Sequence, residues 1–233
     1  MSVNPIYLAI DTPRLEQARM LVAQAGRHVG GVKFGLEYFC ALGAEGVRQA
    51  AAGRNIFLDL KLHDIPNTVA GAVRAVAPLR PAILNVHAAG GAAMMRAARE
   101  AAESAAGDGP RMRLIAVTVL TSLDDADLDA VGQCHPAGDQ VRRLAALAQA
   151  SGLDGVVCAA TEVAALRAEC GRDFLLVVPG IRPAGAGLGD QKRVMTPEQA
   201  MAAGATHLVI GRPITEAADP AAAAREIAAE LGL

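Results

Sequence analysis

The sequence predicts an α/β fold, a single (β/α)8 barrel of the TIM type over residues 1–233. Three observations carry that expectation. Short apolar runs and helix-like runs alternate eight times along the chain, and such alternation implies parallel strands joined by right-handed crossovers. Eight units within 233 residues fit a closed barrel better than an open doubly wound sheet. Polar residues gather just beyond the apolar runs, at the strand ends where this architecture carries its chemistry.

The first strand is read at 6–11, apolar until Asp11. Thr12 and Pro13 then give a helix cap and first turn leading into 14–25. The second strand, 29–35, carries Lys33 and precedes a helix over 36–52. Ile56 to Leu62 form the third strand, because its apolar residues recur on one side of a period-two pattern. That period puts Asp59 and Lys61 together on one face, opposite Leu58, Leu60 and Leu62. Pro66 cannot continue a ladder, so the strand ends near His63 and a helix follows over 67–77. The fourth strand is 82–88, followed by an Ala-rich helix reaching residue 105. The fifth is 113–120, then Thr121, Ser122, a polar loop and a helix over 139–150. The sixth strand, 155–160, has a helix over 161–170 behind it. The seventh, 174–181, is followed by the Gly-rich stretch 182–194 and a helix over 197–203. The eighth, 207–211, leads to a closing helix over 220–231.

Composition narrows the function classes. Twenty-two basic and 24 acidic side chains leave a formal charge of −2, which argues against a nucleic-acid or acidic-membrane footprint. No Trp, two Tyr and four Phe offer little for stacking bases. Cys40, Cys134, Cys158 and Cys170 lack metal-ligand spacing and are expected to be buried small hydrophobes in a reducing compartment. The beginning of the chain lacks a basic segment followed by an apolar core, and no apolar run has bilayer length, so a cytoplasmic protein is expected.

The chemistry centres on residues 57–68. Asp59, Lys61 and Asp64 put two carboxylates and an ammonium within six residues. Buried charge is costly unless paired, so the cluster is either a structural ion network or a reaction centre. Asp11, Lys33, Asn85, His87, Thr121, Ser122, Arg182 and Arg212 are expected on the same rim. Phosphate sites in such barrels are usually built after strands seven and eight. Those positions carry Gly180-Ile181-Arg182-Pro183 and Ile210-Gly211-Arg212-Pro213. Glycine lets the backbone approach an anion, and arginine presents a planar donor fork to it. Gly185, Gly187 and Gly189 give the intervening loop the composition of a lid.

The run Asp59-Leu-Lys-Leu-His-Asp-Ile-Pro-Asn-Thr68 closely resembles the signature of the orotidine 5′-phosphate decarboxylase family. So do Val117-Thr-Val-Leu-Thr-Ser122, Pro179-Gly-Ile-Arg-Pro183, Gly189-Asp-Gln-Lys-Arg193 and Val209-Ile-Gly-Arg-Pro213. The resemblance spans essentially the whole chain with its motifs in order. It implies decarboxylation of orotidine 5′-monophosphate to uridine 5′-monophosphate, in de novo pyrimidine synthesis, with neither cofactor nor metal. It further implies a homodimer in which Asp64 reaches into the partner's site. By the same resemblance Lys33, Asp59, Lys61 and Asp64 form an alternating charged array, and Lys61 protonates C6. Asp11, Lys33 and Thr68 would meet the ribose, with Ile65 also among the substrate contacts. Thr121 and Ser122 would meet the pyrimidine, and Arg182, Gln191, Gly211 and Arg212 the phosphate and lid.

Two rivals share these residues. A metal-dependent sugar-phosphate decarboxylase, aldolase or epimerase on the same barrel would use Asp59, His63, Asp64 and His87 as ligands. Against it, His63 precedes the helix start and His87 is expected to be a hydrogen-bonded rim residue. The second rival is a phosphate-ligand sensor that kept the barrel without its chemistry. His28, His135 and His207 are expected to be surface or packing residues.

Overall fold

The computed structural model describes residues 4–133, 136–183 and 195–233. Eight parallel strands close into a barrel in chain order: β1 (Ile6–Ile10), β2 (Gly31–Gly35), β3 (Ile56–Leu62), β4 (Ile83–His87), β5 (Arg113–Val117), β6 (Gly155–Val157), β7 (Leu175–Val178) and β8 (His207–Ile210). Closure is made by β1 against β8, with Tyr7 opposite Val209. The predicted strands all form, several of them shorter at one or both ends than expected.

The helices lie outside this ring: α1 (Leu15–Ala25), α2 (Leu36–Ala51), α3 (Pro66–Val76), α4 (Gly91–Ala106), α5 (Asp125–Ala130), α6 (Ala137–Ala150), α7 (Val163–Cys170), α8 (Pro197–Ala202), α9 (Arg212–Thr215) and α10 (Pro220–Glu230). Three differ from the sequence expectation. The stretch 36–51 is interrupted at Gly43, whose φ of 60° and ψ of −163° are not helical. The polar loop after β5 contains α5, started by a reciprocal cap between Asp124 and Asp127. A further short helix, α9, begins directly after Gly211.

Alternation along the strands sorts two cores. Inside the ring, Tyr7, Phe57, Ile83, Ile115, Leu175, Val177 and Val209 fill the lower barrel. The Tyr7 ring meets Phe57 edge-on at 6.0 Å. Gly31 is required beside them, since a Cβ there would lie 2.3 Å from the Tyr7 ring. Outside the ring, Leu8, Ile10, Leu58, Leu84 and Leu114 pack on the apolar faces of the helices. The Ala98 and Ala102 side chains of α4 are fully buried there, and such small residues let helix and sheet approach closely.

His207 sits in the barrel base, 5.6 Å from the Tyr7 ring. Burial, with Arg113 nearby, lowers its pKa to about 4, so it packs as a neutral ring. Cys158 and Cys170 are buried as expected, but Cys40 is exposed on α2, and Cys134 and His135 lie outside the described residues. Among the described residues no helix is long and apolar enough to cross a membrane.

Candidate active site

Above the filled lower barrel, space remains toward the carboxyl ends of the strands. A cavity of about 280 Å³ opens there. Its lining includes Asp11, Lys33, Asp59, Lys61, Thr121, Arg182, Gly211 and Arg212. The lining thus unites residues from strands far apart in sequence, as the interior-facing alternation dictates.

Asp59 is the centre of the polar arrangement. Its Oδ2 lies 3.3 Å from Lys33 Nζ, and its Oδ1 lies 2.6 Å from Lys61 Nζ. Lys33 Nζ also lies 3.3 Å from Asp11 Oδ1. The result is a chain of alternating charge, Asp11–Lys33–Asp59–Lys61. Gly35 makes room for it, because a Cβ there would come within 3.2 Å of both Asp11 Oδ1 and Lys33 Nζ. Lys33 is only 7% exposed, so its two carboxylates offset the loss of water.

Asn85 locks the pair in place. Its Nδ2 donates to Asp59 Oδ1 at 2.7 Å, while its Oδ1 accepts the Lys61 backbone N–H, also at 2.7 Å. Lys61 itself has a φ of 48°, a left-handed conformation uncommon outside glycine. The pairing of β3 with β4 shifts register between Leu58 and Leu62. A regular strand therefore gives way at the residue whose ammonium enters the cavity, and the Asn85 hydrogen bond helps hold that backbone. The sequence places Asn85 on the rim but assigns it no role. The available signal is an amide at the middle of Ile83-Leu84-Asn85-Val86, fully buried where an apolar side chain would be expected.

Burial pushes the Asp59 carboxyl up, but Lys33, Lys61 and Asn85 outweigh it and hold its pKa below the usual carboxylate value. A lowered native pKa contributes stability above the unfolded value of about 4 that disappears as pH falls through the native one. Wild type should therefore lose stability relative to Asp59→Asn as pH drops below about 4. Urea unfolding at several pH values checks this; a difference that stays flat to pH ~3 would mean no charged, paired carboxylate in the folded state.

Also lining the cavity, Arg182 and Arg212 lie close enough that the Arg212 charge disfavours that of Arg182. Burial first, then Arg212, lowers the Arg182 pKa. Arg182 is anchored through its Nη1 to the Ile181 carbonyl at 3.0 Å, and its backbone N–H donates to Met195. Two guanidiniums converging beside Gly180 and Gly211 form an anion-receptive corner. Val117, Val119, Leu120, Val157 and Val177 supply an apolar wall to the same cavity. Cys158 joins that wall, with its thiol pKa raised by burial.

Some expected site residues lie elsewhere. Asp64 is exposed, and its Oδ1 accepts the Ile65 N–H at 2.7 Å. Ile65 is 67% exposed and Thr68 also faces outward, so none of the three lines the chain's own cavity. Thr121 lines it while Ser122 does not. Gln191 and the lid stretch from 184 to 194 lie outside the described residues.

The histidine beside the site differs from expectation. Rather than being hydrogen-bonded, His87 stacks on His63 at 5.5 Å, and its buried Nδ1 has no partner among the described residues. Burial, His63 and Lys61 all lower its pKa. Among the described residues no group of three His, Cys, Asp or Glu side chains gathers as metal ligands. Asp59 is instead committed to two ammonium groups and an amide.

Comparison with known proteins agrees with this geometry. Residues 4–227 match the family described as orotidine 5′-phosphate decarboxylase / HUMPS. A Rhodospirillum rubrum protein named orotidine 5′-phosphate decarboxylase is 59% identical, over 99% of this chain and 95% of its own. One of the same name from Sphingopyxis alaskensis is 57% identical, over 98% and 99%. The crystal structure of orotidine 5′-phosphate decarboxylase from Lactobacillus acidophilus superposes with a TM-score of 0.87 at 38% identity, covering 99% of this chain and all of that one.

Proposed function

Because this chain belongs to the orotidine 5′-phosphate decarboxylase / HUMPS family, we propose that it converts orotidine 5′-monophosphate to uridine 5′-monophosphate and CO₂. The reading is a cofactor-independent carboxy-lyase on one catalytic barrel domain, serving pyrimidine biosynthesis in the cytoplasm. The observation that carries it is the Asp11–Lys33–Asp59–Lys61 charge chain lining one cavity with Arg182, Arg212 and an apolar wall. The family description also covers HUMPS proteins; the names of the relatives at 57–59% identity favour the decarboxylase.

The chemistry follows from what the substrate must do. Loss of CO₂ from C6 leaves an electron pair in the plane of the pyrimidine, where the ring π system delocalises it poorly. Stabilisation must then come from charge fixed beside C6. The Lys61 ammonium supplies that charge and afterwards the proton that completes the product. Asp59 keeps Lys61 in position and, facing the substrate carboxylate, repels it more than the neutral CO₂ that departs.

Magnitudes limit each contribution. Two unit charges at about 4 Å interact by about 4 kcal/mol at an effective dielectric near 20. Enzymatic accelerations commonly call for about 8–23 kcal/mol. One ion pair is insufficient, so binding energy from remote contacts must also be used at C6. Arg182, Arg212 and Gly211 are suited to hold the phosphate, with Gln191 and the lid assigned there by family resemblance. Asp11 and Lys33 are suited to the ribose hydroxyls, and Thr121 with Ser122 to the pyrimidine edge.

The outward-facing segment from Asp64 to Thr68 supports a homodimer. We assign Asp64, Ile65 and Thr68 to the partner's site, which would complete the array with a second carboxylate beside Lys61. The exposed Ile65 and Leu36 side chains are apolar surface that a second copy would cover. Dialysed, chelator-treated protein should consume orotidine 5′-monophosphate at the untreated rate, read from the ultraviolet change and the CO₂ released. Activity lost on chelation and restored by a divalent ion would favour the metal-dependent alternative, and no substrate loss at all would refute the assignment.

A further inference from the structure

A second cavity, about 890 Å³, opens at the opposite end of the barrel, between the C-terminal ends of α3 and α4 and the starts of β3 to β5. Arg74, Arg80, Arg111 and Arg113 line it, and no acidic residue does. Arg111 is held by Asp154 in a two-pronged pair of 2.6 and 2.8 Å. The other three make no ion pair with a carboxylate among the described residues. Glu103 also acts on Arg111, but three of the four guanidiniums lining the cavity lack a paired carboxylate among the described residues, and that excess of positive charge favours an anion carrying several charges.

The placement of Arg80 is a separate observation. Its φ of 49° and ψ of 52° put it in the left-handed region, where glycine or asparagine fits without strain. Attraction of cations to a helix C-terminus accounts for Arg74 in the last turn of α3 and favours a cation at Arg80, which caps the following turn 77–79, but it does not account for a non-glycine residue in this left-handed conformation. Apolar side chains, Pro78, Pro81, Ala105 and Met112, complete the lining. A polyphosphate would engage the arginines while a flat base packs on these apolar side chains.

We propose that this base cavity binds a nucleoside polyphosphate, at a site separate from the decarboxylation centre. Seven strand residues of β3 separate the two ends, a span of about 20 Å. The inference does not depend on the reaction assigned to the upper cavity.

Calorimetric titration with ATP tests it, with tripolyphosphate as the base-free probe. Wild type should bind one ATP per chain at this site, and Arg212→Ala at the other end should retain that binding. Arg74→Ala combined with Arg80→Gly should weaken it by about a hundredfold, roughly tenfold for each guanidinium lost. A wild-type melting temperature for the double variant shows that its fold is intact, and Arg80→Gly suits the local backbone. Tripolyphosphate should bind at least about tenfold more weakly than ATP, for want of the base contact. ATP binding unchanged in the double variant, binding lost only in Arg212→Ala, tripolyphosphate as tight as ATP, or no binding at all would each overturn the proposal.

Discussion

Replacing Lys61 by alanine is expected to lower kcat by about 10⁴-fold or more, because in the proposed mechanism it removes both the charge beside C6 and the proton donor. That loss corresponds to about 5.5 kcal/mol of barrier. Binding of uridine 5′-monophosphate should survive, since the arginine corner and the apolar wall remain. The variant would leave Asp59 with Lys33 and Asn85, which still compensate its charge, so misfolding is not the expected cause. Single-turnover kinetics alongside product titration separate the two effects. A variant turning over within tenfold of wild type would remove Lys61 as the proton donor.

The second large effect concerns the residue that faces away. In the proposed homodimer, Asp64→Asn and Lys61→Ala should each be nearly inactive alone. If Asp64 serves the partner's site, mixing the two variants creates heterodimers in which one site regains both native residues. With random exchange about one quarter of all sites recover, so the mixture should reach roughly a quarter of wild-type activity. Mixing after subunit exchange in mild denaturant provides the measurement. Activity no greater than the sum of the separate variants would mean that Asp64 is not shared.

Most of the barrel was legible because it is written in local periodicity. The alternation in Ile56 to Leu62 correctly puts Asp59 and Lys61 on one face, where their side chains meet at 2.6 Å. Eight repeats of that kind leave few topologies to choose from. What the pattern could not show is the break within the same strand. A period-two reading assumes regular backbone, whereas Lys61 turns left-handed and the register against β4 shifts. The hydrogen bond that helps hold it comes from Asn85, 24 residues away, and no local rule links the two.

The short helices α5 and α9 were missed for a different reason. Asp124 to Ala130 is strongly polar, and its start depends on reciprocal side-chain caps rather than an apolar face. Arg212 to Thr215 is a single turn after Gly211, too brief for any periodicity. His87 also required three dimensions: its stacking on His63 joins the ends of two strands. Lys33, Asp11 and the two arginines could be placed on a common rim from sequence, but their spacing depends on closure of the ring.

The most direct measurement is the position of Lys61 Nζ in a crystal structure with uridine 5′-monophosphate or a C6-substituted analogue bound. The account predicts the ammonium within about 3.5 Å of C6, with the phosphate held by Arg182 and Arg212. A nucleotide bound with C6 turned away from Lys61, or with its phosphate among the lysines instead of the arginines, would contradict it.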